Sequence, residues 1–345
     1  MALYQKEVEM GCRAVRLAAL LCQTVQRRLL AEETAAKSDK SPVTVADYGS
    51  QALVSWALQT ALPPGETLSL VAEEDSEDLR TESGAAMLQR ITQLVNEAIK
   101  AEDGAQPAPG PLTPEDVATA IDRGLSNGGP LGRHWVLDPI DGTKGFMRGE
   151  QYAVALGLLD EGEVVLGILG CPNLPMASIS VPGGVMAAAT SGQPVGCLFA
   201  ARKGCGATVE PMDCSLPPQK VSVSKVSDPA WASFCESYES AHSLQDLTAN
   251  IARVLGVTSP PVRIDSQAKY GAMARGDAAI YLRFPHLGYR EKIWDHCAGA
   301  MVIQEAGGVV VDAAGRPLDF SKDSAARGTA PLRKLHFSRG SDIPS

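Results

Sequence analysis

The chain has no apolar run long enough to span a bilayer as a helix. It has no CxxC pair: its eight cysteines are scattered at positions 12, 22, 171, 197, 205, 214, 235 and 297. That spacing indicates neither a zinc knuckle nor a dithiol redox motif, and reduced, packed thiols account for it most simply. It has no excess of positive charge. Thirty-one Lys and Arg stand against 40 Asp and Glu, a net charge of -9. A general nucleic-acid surface is therefore not expected, nor a stable nucleic-acid partner. A small anionic substrate stays compatible with this balance if metals or a few local cations neutralise it. The first residues carry Glu7 and Glu9 and show neither a signal-peptide pattern nor an Arg-rich, acid-poor targeting peptide. An intracellular, cytoplasmic location is the expectation, with an organelle left open. There are no convincing internal repeats.

What is present suits an ordinary soluble protein. The 345 residues are 45% hydrophobic and 21% charged, enough chain for about two domains. The central stretch is WVLDPIDGTKGFMRG, residues 135–149. Trp135-Val136-Leu137 reads as a strand that ends in Asp138 and Asp141, with Pro139 between them. Gly142 lets backbone approach whatever the acids hold. Thr143 adds a hydroxyl, and free N–H groups of a following helical turn could face an anion. Paired carboxylates take hard cations. The same stretch also fits an Asp-rich turn capping a helix.

Taken in order, residues 4–30 have helical spacing at Val8, Cys12, Val15, Ala19, Cys22, Val25 and Leu29. Residues 38–43 read as a break, followed by a helix from about Tyr48 to Leu62 with Asp47 at its cap position. Leu68 to Ala72 reads as a buried strand running into Glu73-Glu74-Asp75, which also fits a solvated turn. Helices are expected over 85–99 and from 114 to about 124, separated by a Pro-rich loop over 103–114. A hairpin follows, with strands over 152–159 and 164–169. Strand-like segments lie at 185–189, 197–201 and 207–209. The best linker is PMDCSLPP, residues 211–218, which divides the chain into 1–212 and 213–345. The second part alternates strands (220–224, 231–235, 262–264, 278–282, 309–312) with helices (244–255, 267–275, 295–306). Residues 321–345 are polar and weakly patterned. The pattern implies an α+β or α/β layered fold, with alternating helix and sheet layers.

Asp47, Glu73, Asp138, Asp141 and Asp295 all fall at ends of expected elements, in distant parts of the chain. Brought together, they would repel one another without cations. Oxygen ligands without histidine–cysteine company favour magnesium over zinc. Spacing alone does not prove that they converge. Asp295, after Ile293-Trp294, also fits a helix cap.

Four segments carry a resemblance that supplies the convergence: PVTVAD (42–47), Glu73-Glu74, WVLDPIDGTKGFMRGEQYAVALGLL from Trp135, and EKIWDHCAGAMVIQEAGG from Glu291. Over nearly the whole chain, the sequence closely resembles the lithium-sensitive, magnesium-dependent phosphomonoesterases of the inositol monophosphatase-like superfamily, and within it the 3'(2'),5'-bisphosphate nucleotidases. The resemblance implies two or three Mg2+ ions. Glu73, Asp138 and the carbonyl of Ile140 would hold one. Asp138, Asp141 and Asp295 would hold a second, and a weaker ion would lie near Asp47 and Glu73. Thr143 and Asp47 would position and deprotonate the attacking water.

Substrate contacts are implied for Thr143, His242, Ser266, Lys269 and Arg283, in segments similar to the nucleotidases'. Lysine and arginine would neutralise the phosphate that is not hydrolysed. Lys144 and Arg148 would add positive potential. The implied reaction is removal of the 3'-phosphate from adenosine 3',5'-bisphosphate, with 3'-phosphoadenylyl sulfate as a further substrate, in sulfate assimilation and by-product removal. The alternatives are an inositol 1,4-bisphosphate or inositol monophosphate phosphatase, and, in another class, a nucleotide-binding regulator with little turnover. The chain departs from the family pattern in three places. Ala72 stands where glycine is usual, the 103–114 loop is shorter than in some relatives, and the match after Phe320 is weak.

Overall fold

The computed structural model describes residues 3–32, 41–102, 110–181, 183–238, 245–284, 291–321 and 335–339. The chain begins with helices α1 (Gln5–Glu32) and α2 (Ser41–Ala61). Val15, Ala18, Cys22 and Val25 of α1 are buried at helical spacing. Strand β1 (Leu70–Ala72) follows, then α3 (Ala85–Glu102) and α4 (Pro114–Asp122). Helix α4 starts in a capping box: Asp116 N–H donates to Thr113 Oγ1 (3.2 Å) and Thr113 N–H donates to Asp116 Oδ2 (2.8 Å). The central stretch forms β2 (Arg133–Asp141) and the short α5 (Thr143–Met147). Strands β3 (Ala153–Asp160) and β4 (Glu163–Pro175), α6 (Gly184–Ala189), β5 (Val195–Arg202), β6 (Gly206–Pro211) and β7 (Gln219–Val221) come next.

These seven strands form one sheet in chain order. β1 and β2 are parallel and the other neighbours antiparallel. A second sheet has the order β11-β12-β10-β8-β9. Its members are β8 (Phe234–Glu236), β9 (Val262–Arg263), β10 (Ile280–Arg283), β11 (Gly308–Val311) and β12 (Leu335–Arg339). Strands β9, β8 and β10 run parallel. Between them in sequence lie α7 (Gln245–Val254), α8 (Ala268–Ala274) and α9 (Cys297–Glu305).

The layers follow from which faces are apolar. One core joins α1 to α4 to one face of the seven-stranded sheet through Leu137, Leu156 and Ile168. The other face, through Val136, Ala155 and Phe199, packs on α8 and α9. The second sheet alternates by the strand period of two. Cys235 and Tyr281 face α8, while Phe234 and Leu282 face outward with Ile251 of α7. The result is helix, sheet, helix, sheet, helix, the layered α+β architecture that the motifs implied.

Several elements differ from expectation. Helix α2 begins at Ser41, not near Tyr48. Pro42 lies in its first turn, where the missing N–H has no intrahelical partner to lose. Asp47 is therefore inside the helix and does not cap it. Residues 184–189 are helical, not a strand; their short apolar run carries too little period to decide. The strand expected over 231–235 splits into a 3-10 turn, Pro229–Trp231, and β8. The weakly patterned end contributes β12, inserted between β10 and β11. The boundary expected after residue 212 falls between β6 and β7, which pair in one sheet.

Glycines set how closely α9 approaches the large sheet. A Cβ on Gly157 would lie 2.4 Å from Cys297 Sγ, and one on Gly167 would lie 2.3 Å from the carbonyl oxygen of Ala298. Gly167→Val is expected to destabilise the fold by about 1–3 kcal/mol, because backbone of α9 must move to admit the side chain. Urea unfolding of the variant beside the parent checks this.

Candidate active site

Register brings the first acids together. Ala72 pairs with Leu137 in the parallel β1–β2 ladder, so Glu73, just past the end of β1, stands beside Asp138 of β2. Pairing of β2 with β3 then slips between Asp138 and Asp141. This irregularity, at Pro139-Ile140, brings Asp138 and Asp141 to one site. Ser50 of α2 donates to the carbonyl of Pro139 (2.8 Å) and holds the slip in place. Gly142 follows at φ +91°, a left-handed conformation, and a Cβ there would lie 2.8 Å from that of Ser266. Helix α5 starts at Thr143, whose hydroxyl lies 3.5 Å from the carbonyl of Ile140.

Asp47 reaches the same place from α2, one turn before Gln51. Gln51 fastens α2 to the turn carrying Glu73. Its Nε2 donates to the carbonyls of Glu74 (2.6 Å) and Ile121 (2.9 Å), and its Oε1 accepts from Glu74 N–H (3.0 Å). The methyl of Ala72 is accommodated by Gly124, where a Cβ would come within 3.0 Å of it. Asp295 arrives on a 3-10 turn, Ile293–Asp295, and accepts from Lys292 N–H (2.6 Å).

One buried amide joins the two halves. Gln267 N–H donates to Asp141 Oδ2 (2.5 Å), its Nε2 donates to the carbonyl of Trp294 (2.8 Å), and its Oε1 accepts from Gly299 N–H (3.0 Å). Ser50, Gln51 and Gln267 were not singled out from the sequence. A polar residue on a buried helix face is the signal that would have found the first two.

The acids repel one another. Burial pushes Asp138 well above the usual carboxylate range, and Asp141, Glu73, Asp295 and Asp47 push it further. Burial also raises Asp47, helped by Glu74 and Glu73. Asp295 is raised by burial and by Glu291, against the Lys292 N–H. Asp141 is raised by burial despite Lys269, Arg283 and the N–H of Gln267. Burial and Asp141 raise Glu73, and burial, Glu73 and Asp75 bring Glu74 to about 7. Asp138 Oδ1 is buried and accepts no hydrogen bond. A buried carboxylate oxygen without a donor among four other acids fits a divalent cation.

Glu291, Asp295 and His296 also bring ligand atoms within 4.8 Å of one another. Glu291 is already engaged. It accepts from Arg283 Nε (2.7 Å) and contacts His296 Nε2 (3.1 Å), which hold it far below its usual range against burial. We therefore read Glu291 as the counter-ion of Arg283, not as a ligand.

Facing the acids is a cavity of about 310 Å³ lined by Asp141, Thr143, Lys144, Ser266, Lys269, Arg283 and Asp295, among others. Ser266 sits at φ +64° and its hydroxyl accepts from Ala268 N–H (3.1 Å), at the start of α8. Lys269 is buried with its Nζ 5.5 Å from the centre of the Tyr281 ring. The structure thus brings together Asp47, Glu73, Asp138, Ile140, Asp141, Thr143, Ser266, Lys269, Arg283 and Asp295. His242 lies outside the described residues. Among the described residues, no hydrogen bond joins Thr143 to Asp47. No described helix is long and apolar enough to cross a membrane.

The cavity lining thus carries both acids, Asp141 and Asp295, and cations, Lys269 and Arg283. Residues 8–338 match the inositol monophosphatase family, and the chain belongs to it. The family is metal-dependent. The chain is 59% identical over 319 residues to a 3'(2'),5'-bisphosphate nucleotidase of Oryza sativa, covering 92% of this chain and 87% of that one. It is 60% identical over 304 residues to 3'(2'),5'-bisphosphate nucleotidase 1 of Arabidopsis thaliana, covering 88% and 84%. A fungal 3'(2'),5'-bisphosphate nucleotidase, from Emericella nidulans, is 47% identical over 328 residues, covering 92% and 91%. Among solved structures, CysQ of Bacteroides thetaiotaomicron superposes with TM-score 0.57 at 17% identity, covering 99% and 100%. The inositol monophosphatase of Anabaena superposes with TM-score 0.54 at 18% identity, covering 97% and 91%. These likenesses establish the fold.

The raised carboxylates set a pH dependence for the metal-free protein. Their folded forms hold protons that the unfolded chain, with ordinary values, has released. The contribution of these acids to stability is therefore fully present at low pH and falls as pH rises from about 4.5 to about 7, the value reached by Glu74. With a chelator, the melting temperature is expected to fall between pH 5.5 and 7.5, and magnesium is expected to flatten the slope. Melting curves at both pH values, with and without metal, check this.

Proposed function

We propose that this chain is a phosphatase that hydrolyses the 3'-phosphate of adenosine 3',5'-bisphosphate to AMP and phosphate, with 3'-phosphoadenylyl sulfate as a second substrate. The carrying observation is one cavity with Asp141 and Asp295 on its wall and Lys269 and Arg283 beside them. The nucleotidases at 47–60% identity support the nucleotide over an inositol phosphate.

Glu73, Asp138, the Ile140 carbonyl, Asp141 and Asp295 would hold the metal, read as two or three Mg2+, with a weaker ion near Asp47 and Glu73. Bound there, the metal supplies charge neutralisation and a more acidic water. The chain's own residues do the rest. Thr143, at the start of α5, orients a water and passes its proton towards the carboxylate of Asp47. The water oxygen bonds to the 3' phosphorus as the bond to the ribose O3' breaks, and O3' leaves with the bonding pair and takes a proton from solvent to become the hydroxyl of AMP. No phosphoenzyme forms. Lys269, Arg283, Ser266 and His242 hold the nucleotide, with the charged pair on the phosphate that stays. Glu291 fixes the direction of Arg283, accepting from Nε (2.7 Å) and Nη2 (3.4 Å), and the guanidinium lines the cavity.

The two halves divide the labour. Residues 1–212 supply most metal ligands and the water-activating pair, and residues 213–345 supply the substrate cations and Asp295. Lithium inhibition, a role in sulfate assimilation and by-product removal, and a cytoplasmic location belong to this reading.

The test is phosphate release from adenosine 3',5'-bisphosphate and from inositol 1,4-bisphosphate, each with magnesium and with chelator. Magnesium-dependent preference for the nucleotide is expected. Preference for the inositol substrate would overturn the substrate and leave the metal chemistry standing. Asp141→Asn should lower kcat on the nucleotide by at least about 100-fold while the protein stays folded.

A further inference from the structure

Strands β9, β8 and β10 run parallel, so their carboxyl ends open on the same side, where parallel sheets commonly bind ligands. Register fixes what those ends present. Glu236 pairs with Arg263, and Ile264 N–H donates to the Glu236 carbonyl (3.1 Å), so Tyr238 stands level with Asp265. Cys235 pairs with Tyr281, so Arg283 stands level with Ser237. Tyr238 is thus a neighbour of the segment carrying Ser266 and Lys269 on one side and of the end of β10 on the other.

Tyr238 is 56% exposed and has one ring face occupied: the Arg148 guanidinium lies 5.1 Å from the ring centre. Arg148 is itself held, donating to Asp265 Oδ2 (2.5 Å) and Glu150 Oε2 (2.6 Å). Asp265 is buried and lines the same cavity as Lys269 and Arg283. Tyr270 and Tyr281, which also line that cavity, are buried and packed edge to face, 5.9 Å between centres. Neither has a face to offer. Tyr238 is more than half exposed, and its support, Arg148, reaches the cavity lining through Asp265.

We propose that Tyr238 is the stacking platform for the purine base of the substrate, and so a determinant of specificity for nucleotides over sugar and inositol phosphates. A flat aromatic ligand would lie on the open face of the ring while its phosphates reach Lys269 and Arg283. The proposal rests on the nucleotidase reading, and it assigns the base, not the phosphate chemistry, to this residue.

The test is steady-state kinetics of the parent, Tyr238→Ala and Tyr238→Phe on two substrates, adenosine 3',5'-bisphosphate and the base-free methyl ribofuranoside 3,5-bisphosphate. Tyr238→Ala should raise KM for the nucleotide roughly tenfold with kcat within about twofold, the size of a lost base–aromatic stack. Tyr238→Phe should keep the parent's KM, and the base-free substrate should not distinguish the three proteins. An unchanged nucleotide KM in Tyr238→Ala overturns the platform and leaves the nucleotidase reading intact. So does an equal loss on both substrates, or a loss in Tyr238→Phe as large as in Tyr238→Ala. Absence of nucleotide turnover by the parent overturns the nucleotidase reading itself and the platform with it.

Discussion

Like charges held together out of water are the constraint around which this molecule is arranged. Two unit charges about 4 Å apart repel by about 4 kcal/mol at an effective dielectric of about 20. Asp138 faces Asp141, Glu73, Asp295 and Asp47 from within the protein. A domain is stable by only about 5–15 kcal/mol, so such a cluster is a large internal debt. The fold tolerates it because every acid is borne by backbone that other bonds hold. The slip in β2 is fastened by Ser50, the Glu73 turn by Gln51, and the Asp141–Asp295 side by Gln267. In the proposed reading, metal would turn the repulsion into ligation.

The same arrangement separates tasks. The large sheet and α2 bring the acids, and the parallel strands of the second sheet bring Ser266, Lys269 and Arg283. Helix α9 ties the two together, because glycines at 157 and 167 let it lie on the large sheet while Gln267 bonds to its first turn. In the proposed reading, a phosphate in the cavity would meet the water-activating groups and the cations Lys269 and Arg283. Electrostatic preorganisation of this kind costs no rearrangement at the moment of reaction. Substrate choice is left to the rim, which has chemistry of its own.

Much of this was legible in the sequence, for local reasons. Strands ending in acids are visible as apolar runs that stop in Asp or Glu, so Glu73, Asp138 and Asp141 could be read directly. Their convergence came from long matching segments, since spacing carries no information about a parallel ladder such as β1–β2. Of the two readings of Asp47, the cap fails, because residues 38–43 read as a break in the sequence where Pro42 lies in the first turn of α2. Ser50 and Gln51 showed only as polar residues on a buried helix face, and Gln267 left no trace, because a buried side-chain-to-backbone bond has no sequence period. Strand β12 escaped because its neighbours in the sheet, not its own residues, decide its pairing. The alternation of Phe234 with Cys235 and of Tyr281 with Leu282 shows the reverse case, where the period survives even in short strands.

The central claim is that the acid cluster opposes folding until cations enter it. The most direct measurement is the melting temperature of Asp138→Asn beside the parent, first in chelator and then in millimolar magnesium. Removing one charge from the middle of the cluster should make the variant the more stable protein in chelator. Magnesium should then raise the parent by more than the variant and close or reverse the gap. A variant less stable than the parent in chelator, with the same response to magnesium, would contradict the account.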